Sequence, residues 1–303
     1  MEKRTFGKTG VAVSVLGFGG APVGFLETER QDVARLLNQL LDDGINLIDT
    51  AASYRGSEEM IADAIGHRRG DFFLVSKCGG ALDDIDAPEW TPGLITQTVD
   101  RSLRRLRTDR LDLMLLHTCT LEVLKKGDVL AALVAARDAG KVRFVGYSGD
   151  NETAAHAATL PDVAVVQTSI NLADQRNIDV VLPVAQQHHV GVMAKRPVAN
   201  AAWKANTEQR GIYRDYSRDY TARLAAMRLD PAQFGVNSWS ELALRFTLSQ
   251  PGVTTAIVGT TNPANARANA EAAAKGPLST DVIDRIRDAF RKANPQKDWI
   301  GLT

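Results

Sequence analysis

Eight times along this chain a short apolar run is followed by a polar loop and then by a segment of helical periodicity. That alternation limits the fold more than any other feature. The runs are LGFGG from residue 16, NLI from 46, FFLVSK from 72, LDLMLLH from 111, VRFVGYS from 142, VAVVQTS from 163, VGVMAK from 190 and TTAIV from 254. Helices are expected near residues 57–66, 92–107, 128–139, 151–159, 178–189, 238–249 and 263–273. After the first run, Thr28 and Gln31 form a capping-box pair, Val33, Leu36, Leu37, Leu40 and Leu41 make one apolar stripe, and Gly44 ends the helix. Strand–helix alternation means parallel strands with helical crossovers, and eight such units close into a (β/α)8 TIM barrel more readily than they spread into an open sheet.

Three segments stand outside the alternation. Residues 3–15, with GKTG between two short runs, read as a hairpin plugging the barrel floor, and residues 279–293 as an extra capped helix. The stretch 197–236 is polar, rich in Arg and Tyr and too long for an ordinary connection, so it is expected to be a lid over a substrate. Within it Tyr213, Tyr216 and Tyr220 share a helical face beside Arg214 and Arg218, a pattern that suits a solvated amphipathic helix. No repeat or linker divides the chain, so residues 1–303 read as one domain, large enough to bury about 75% of its unfolded surface.

Charge narrows the partners. The 36 basic side chains are balanced by 36 acidic ones, so no net field holds the chain on nucleic acid or an anionic membrane. Arg101, Arg104, Arg105, Arg107 and Arg110 cluster on one helix and its exit and read as a solvated face. There is no apolar run of about 18 residues, and the opening MEKRTFGKTG has no apolar stretch behind its charges, so neither a membrane span nor a signal peptide is expected. Two cysteines give no disulfide framework or zinc spacing, and the adjacent His188 and His189 point different ways, so no metal is expected. The reading is a cytoplasmic protein whose partner is a small molecule. Its oligomeric state is not legible.

In a barrel of this kind the reactive groups stand at the carboxyl ends of the strands. Those ends carry Asp49, Lys77, His117, Ser148 and Gln167. Any one of them is an ordinary polar exit from a core, but Asp, Lys and His closing consecutive strands mark a site. A Rossmann fingerprint is missing, since GFGGAP has Pro22 where the sixth position needs Gly or Ala. Instead TTAIVGTTNP runs into a helix with Asn262 as N-cap and Pro263 at the first position, leaving backbone N–H groups for a phosphate.

IDTAASY followed by SEEMI, with FFLVSK, LMLLH, GKVRFVGYS and AIVGTTNPANARAN in the same order, resembles the aldo-keto reductase superfamily over nearly the whole chain. The resemblance implies a bacterial NADP-dependent enzyme reducing an aldehyde or ketone to an alcohol, with a catalytic tetrad of Asp49, Tyr54, Lys77 and His117. Tyr54 would be the general acid. A free Tyr has a pKa of about 10, which Lys77 is expected to lower, with Asp49 holding Lys77 and His117 orienting the carbonyl.

NADPH, with NADH as the alternative, would be held by Gly19, by Ser148, Gly149 and Gln167 at the nicotinamide, by Lys195, Arg196, Pro197, Val198 and Asn200, and by Val258, Gly259, Thr260, Thr261, Asn262, Asn265 and Asn269 at the adenosine end. Ala21 and Trp203 would face the substrate. Many relatives carry basic residues matching Gly259 and Asn265, an Asn matching Gly149 and an aromatic matching Lys195. Arg267 or the pair Lys195 and Arg196 would then meet the 2′-phosphate. A cofactor-binding regulatory protein without turnover is the main rival, and a barrel hydrolase or isomerase the second. Cys78 and Cys119 stand beside the tetrad, and reversible peroxide inhibition through Cys119 is expected.

Overall fold

The computed structural model describes residues 1–26, 29–204 and 217–302. Eight strands close into a barrel: β3 (Leu16–Gly19), β4 (Leu47–Asp49), β5 (Phe73–Cys78), β6 (Leu111–His117), β7 (Val142–Ser148), β8 (Val163–Ser169), β9 (Gly191–Lys195) and β10 (Val253–Val258), the last pairing with the first. Neighbouring strands are parallel all round. The strands are nearly continuous apolar runs because both faces are covered, one by the barrel interior and the other by helices.

Strand side chains alternate in direction, and this sorts the core into layers. Leu47, Phe73, Val75, Leu113, Leu115, Val165, Met193 and Ile257 form one buried cluster inside the barrel. The intervening Ile48, Leu74, Met114, Leu116 and Val166 meet the helices in another. The hairpin of β1 (Lys3–Thr5) and β2 (Ala12–Ser14) is antiparallel and carries Phe6 into the floor, fully buried and edge-on to Phe73 at 5.7 Å. Burying that ring contributes about 2 kcal/mol. Gly7 has a left-handed φ of 52°, and a Cβ there would lie 2.0 Å from the Gly191 backbone nitrogen, so only glycine closes the floor.

Several expectations are corrected. The helix anticipated over 178–189 is two, Arg176–Val180 and Leu182–Gln187, because Pro183 has no N–H to continue the ladder and takes a first-turn position. Short helices Ala21–Phe25 and Leu121–Lys126 appear where only loops were expected. Thr28 lies outside the described residues, and the next helix starts at Arg30 with Glu29 at its N-cap. The arginine cluster is largely paired: Arg101 is buried against Asp84 and Glu58, Arg105 reaches Asp84 and Glu59, and Arg107 reaches Asp63.

The lid also changes character. Tyr213, Arg214 and Tyr216 lie outside the described residues, whereas Tyr220 sits on the helix Arg218–Met227 with no exposed surface. Its hydroxyl donates to Asp174 Oδ2 at 2.9 Å, and its ring joins Leu172, Ala199, Leu242, Phe246 and Ile286 in a second core. That part of 197–236 is packed interior, not a solvated face.

Candidate active site

Period-two alternation carries the interior cluster upward into the site. Asp49 follows Leu47, Lys77 follows Phe73 and Val75, His117 follows Leu113 and Leu115, Gln167 follows Val165, and Lys195 follows Met193. The barrel register sets His117 beside Ser148 and Ser148 beside Gln167, a polar row across three strands. Gly19 pairs with Asp49 on the opposite side.

Asp49 and Lys77 are 2% and 1% exposed and joined at 2.8 Å, Nζ to Oδ2. The ammonium also donates to the Thr50 carbonyl at 2.7 Å. Burial pushes the Asp49 carboxyl upward, against the pull of Lys77 and the amide of Gln167, and pushes the Lys77 ammonium downward, against the pull of Asp49. Two desolvated charges persist in such a place only by facing each other.

Tyr54 stands on the turn after β4. Ala52 N donates to the Lys77 carbonyl at 3.2 Å, Tyr54 N to the Ala51 carbonyl at 3.0 Å, and Arg101 donates to the Ala52 carbonyl at 3.0 Å. Arg101 thus braces the turn, a role no sequence motif announced. The Tyr54 ring meets the His117 ring edge-on at 6.1 Å, and the Lys77 ammonium lies 5.1 Å from its centre. Contrary to expectation, the Tyr54 hydroxyl is pushed up, by burial and then by Asp49, with Arg196 opposing. Lys77 does not lower it here because its charge is met by Asp49. His117 is held well below its usual range by burial and by Lys77, Lys195 and Arg196, so its imidazole is neutral.

The remaining residues lie around this centre. Ser148 Oγ donates to Gln167 Oε1 at 2.8 Å, and Gln167 Nε2 donates to Asp49 Oδ1 at 3.0 Å. At Gly149 a Cβ would fall 2.4 Å from the Tyr147 hydroxyl, which donates to the Cys119 carbonyl, so a side chain is excluded while Tyr147 stays. Lys195 Nζ is 3.2 Å from Asp150 Oδ2, and Arg196 donates to Ser169 Oγ and the Leu302 carbonyl. Both cations already have partners. Arg267 is exposed on the helix Pro263–Ala274. Beyond β9 the backbone is left-handed at Arg196, Ala199, Asn200 and Ala201, the strained kind of segment that functional loops contain, and Pro197 and Val198 lie within it.

Past Val258, the Asn262 side chain accepts from Ala264 N with Pro263 in the first turn, as expected, and Ala266 N donates to the Asn262 carbonyl, so Asn265 N is the first-turn amide left to meet an anion at this helix end. Thr260, Thr261 and Asn265 flank that end, and Asn269 is buried one to two turns on. Gly259 and Gly19 approach closely, for a Cβ on Gly259 would meet the Gly19 carbonyl at 2.8 Å and Pro22 at 2.6 Å. This narrow glycine-lined strip beside a helix N-terminus, with amide and hydroxyl donors across the mouth, fits a nicotinamide dinucleotide.

At the mouth Ala21 opens a short helix ending in Phe25, which is 40% exposed and edge-on to Tyr54 at 5.3 Å. Phe25 was missed in the sequence because a single aromatic in a loop carries no signal. Trp203 stacks on Trp239 at 5.8 Å, packed on the second core. Cys78 and Cys119 are buried free thiols, Cys119 pushed up to about 11 by burial, which keeps the reactive thiolate scarce. That argues against the expected peroxide sensitivity.

Residues 15–291 match the Aldo/keto reductase family. The chain belongs to that family. It is 29% identical over 303 residues to the uncharacterized oxidoreductase YqkF of Bacillus subtilis, covering 95% of this chain and 96% of the relative. L-galactose dehydrogenase of Arabidopsis thaliana is 29% identical over 214 residues, 66% of each chain. The holo form of the aldo-keto reductase AKR11C1 from Bacillus halodurans superposes with a TM-score of 0.80 at 26% identity, covering 95% of this chain and 96% of that one. As an aldo-keto reductase the protein is a nicotinamide-dependent oxidoreductase acting on a small molecule. Among the described residues no helix is long and apolar enough to cross a membrane.

Proposed function

We propose that the protein is a cytoplasmic NADPH-dependent reductase of aldehydes or ketones, with residues 1–303 as one catalytic domain and Tyr54 as its general acid. The observation that carries this reading is the sealed Asp49–Lys77 pair beneath the Tyr54 ring, with neutral His117 beside it. A nicotinamide nucleotide supplies the hydride. As negative charge gathers on the carbonyl oxygen, Tyr54 donates its hydroxyl proton to that oxygen, with Arg196 as the cation that favours the phenolate left behind. Asp49 keeps Lys77 charged, since an isolated buried ammonium would shed its proton. His117, uncharged, donates a second hydrogen bond and orients the carbonyl. Phe25 offers an apolar edge beside the acid, which suits an apolar or aromatic carbonyl substrate.

NADPH is preferred over NADH in this reading because Arg267 lies exposed near the phosphate-accepting helix end, while Lys195 and Arg196 are engaged elsewhere. Ser148 and Gln167 hold the carboxamide of the nicotinamide. The test is titration of the protein with NADPH and with NADH by intrinsic fluorescence, followed by nucleotide oxidation with a panel of aldehydes. Tighter NADPH binding with turnover supports the reading. Binding without turnover across the panel favours the regulatory alternative, and binding of neither nucleotide overturns it.

A further inference from the structure

Asp49 spends both carboxylate oxygens inside the barrel. Oδ2 receives the Lys77 ammonium at 2.8 Å and Oδ1 receives Gln167 Nε2 at 3.0 Å, from a residue 118 positions away. With Asp49 and Gln167 each 2% exposed, water does not replace either partner. The amide orientation is fixed chemically, because a carboxylate can only accept, so the N–H end of Gln167 must face it while the carbonyl end takes the Ser148 hydroxyl. The chain therefore runs unbroken from Ser148 through Gln167 and Asp49 to Lys77 and the Thr50 carbonyl.

We infer that Gln167 is a positioning residue for the Asp49–Lys77 pair, so that the side chain facing the nicotinamide also holds in place the charge beneath Tyr54. The part concerning the nicotinamide rests on the function proposed above; the part concerning Asp49 does not. Lys77 and Lys195 are the cations acting on Asp49, and Tyr54 is the titratable neighbour above it. Against that fixed background the Gln167 N–H favours the ionised carboxylate, and losing it favours protonation.

The test compares Gln167→Leu with Ser148→Ala, which touches the same amide but not Asp49. Carboxyl carbon NMR on Asp-labelled, nucleotide-free protein follows the Asp49 titration, with Asp49→Asn identifying the signal. Gln167→Leu is expected to move the midpoint upward by about one pH unit or more, the scale of one hydrogen bond to a charged group. Ser148→Ala is expected to leave it in place, and both variants to weaken NADPH binding. An unmoved Asp49 midpoint in folded Gln167→Leu overturns the inference. A shifted midpoint with undiminished NADPH affinity upholds the positioning role and removes Gln167 from the nucleotide site. If Gln167→Leu does not fold, Gln167→Met, which keeps the chain length and removes only the polar end, is read in the same way.

Discussion

The Lys77 ammonium lies 5.1 Å from the centre of the Tyr54 ring, yet its nearest charge is the Asp49 carboxylate at 2.8 Å. Lys77 is answered by Asp49, and burial, then the Asp49 charge, push the Tyr54 hydroxyl above the ordinary tyrosine value against the pull of Arg196. Tyr54 therefore keeps its proton to higher pH than a free tyrosine does. The reductive kcat is predicted to show no loss from Tyr54 ionisation up to about pH 10, where a free tyrosine is half ionised. A limb near pH 8 that disappears in Tyr54→Phe would contradict this.

Gly149 and Tyr147 exclude a side chain from each other's space. Gly149→Ala puts a Cβ 2.4 Å from the phenol oxygen and is predicted to cost about 1–3 kcal/mol. In a Tyr147→Val background the same substitution is predicted to cost well under half as much, a non-additivity read by denaturant unfolding of the four proteins in the cycle. Equal costs in both backgrounds would show that the clash is relieved by some other movement.

Asp174 carries a stability signature. Burial, and then the nearby Asp150, push its carboxyl up to about 6 from 3.8, against the help of the Leu302 N–H and the Tyr220 hydroxyl. Between those two values the folded chain binds the proton more tightly than the unfolded chain, so this group's contribution to stability falls as pH rises through the window. The gap corresponds to about 3 kcal/mol. Asp174→Asn is predicted to gain on the parent in thermal unfolding between about pH 4 and pH 7. A difference independent of pH would refute the assignment.

The two thiols are predicted to be inert in the folded protein. Cys78 is pushed up by burial and by Cys119, and Cys119 itself to about 11, so neither supplies much thiolate near neutrality. A thiol reagent should titrate none of the 2 cysteines before denaturation and both after it. Rapid modification of native protein with loss of turnover would restore the redox sensitivity that the sequence suggested.

The barrel and the strand-end places of Asp49, Lys77 and His117 were legible because both depend on local period, whereas Tyr54, on the turn after β4, was singled out only by the resemblance that IDTAASY carries. Lys77 and His117 end strands whose alternating positions face inward, so apolar pattern alone aims them at the centre, and Asn262 with Pro263 announces a helix start. Contacts between distant segments were not legible. Gln167 meets Asp49 across the barrel, Arg101 reaches back 49 positions to the Ala52 carbonyl, and Tyr220 is interior because Asp174 on another loop accepts its hydroxyl. The sign of the Tyr54 shift was missed for the same reason, since it depends on how completely Asp49 answers Lys77.

The most direct test of the central claim is Tyr54→Phe, with kcat for an aldehyde and the dissociation constant for NADPH measured on the same preparation. With Tyr54 as the proton donor, kcat is predicted to fall by about 100-fold to 10,000-fold with nucleotide affinity nearly unchanged. Turnover within a few-fold of the parent would contradict the assignment of Tyr54 as the proton donor.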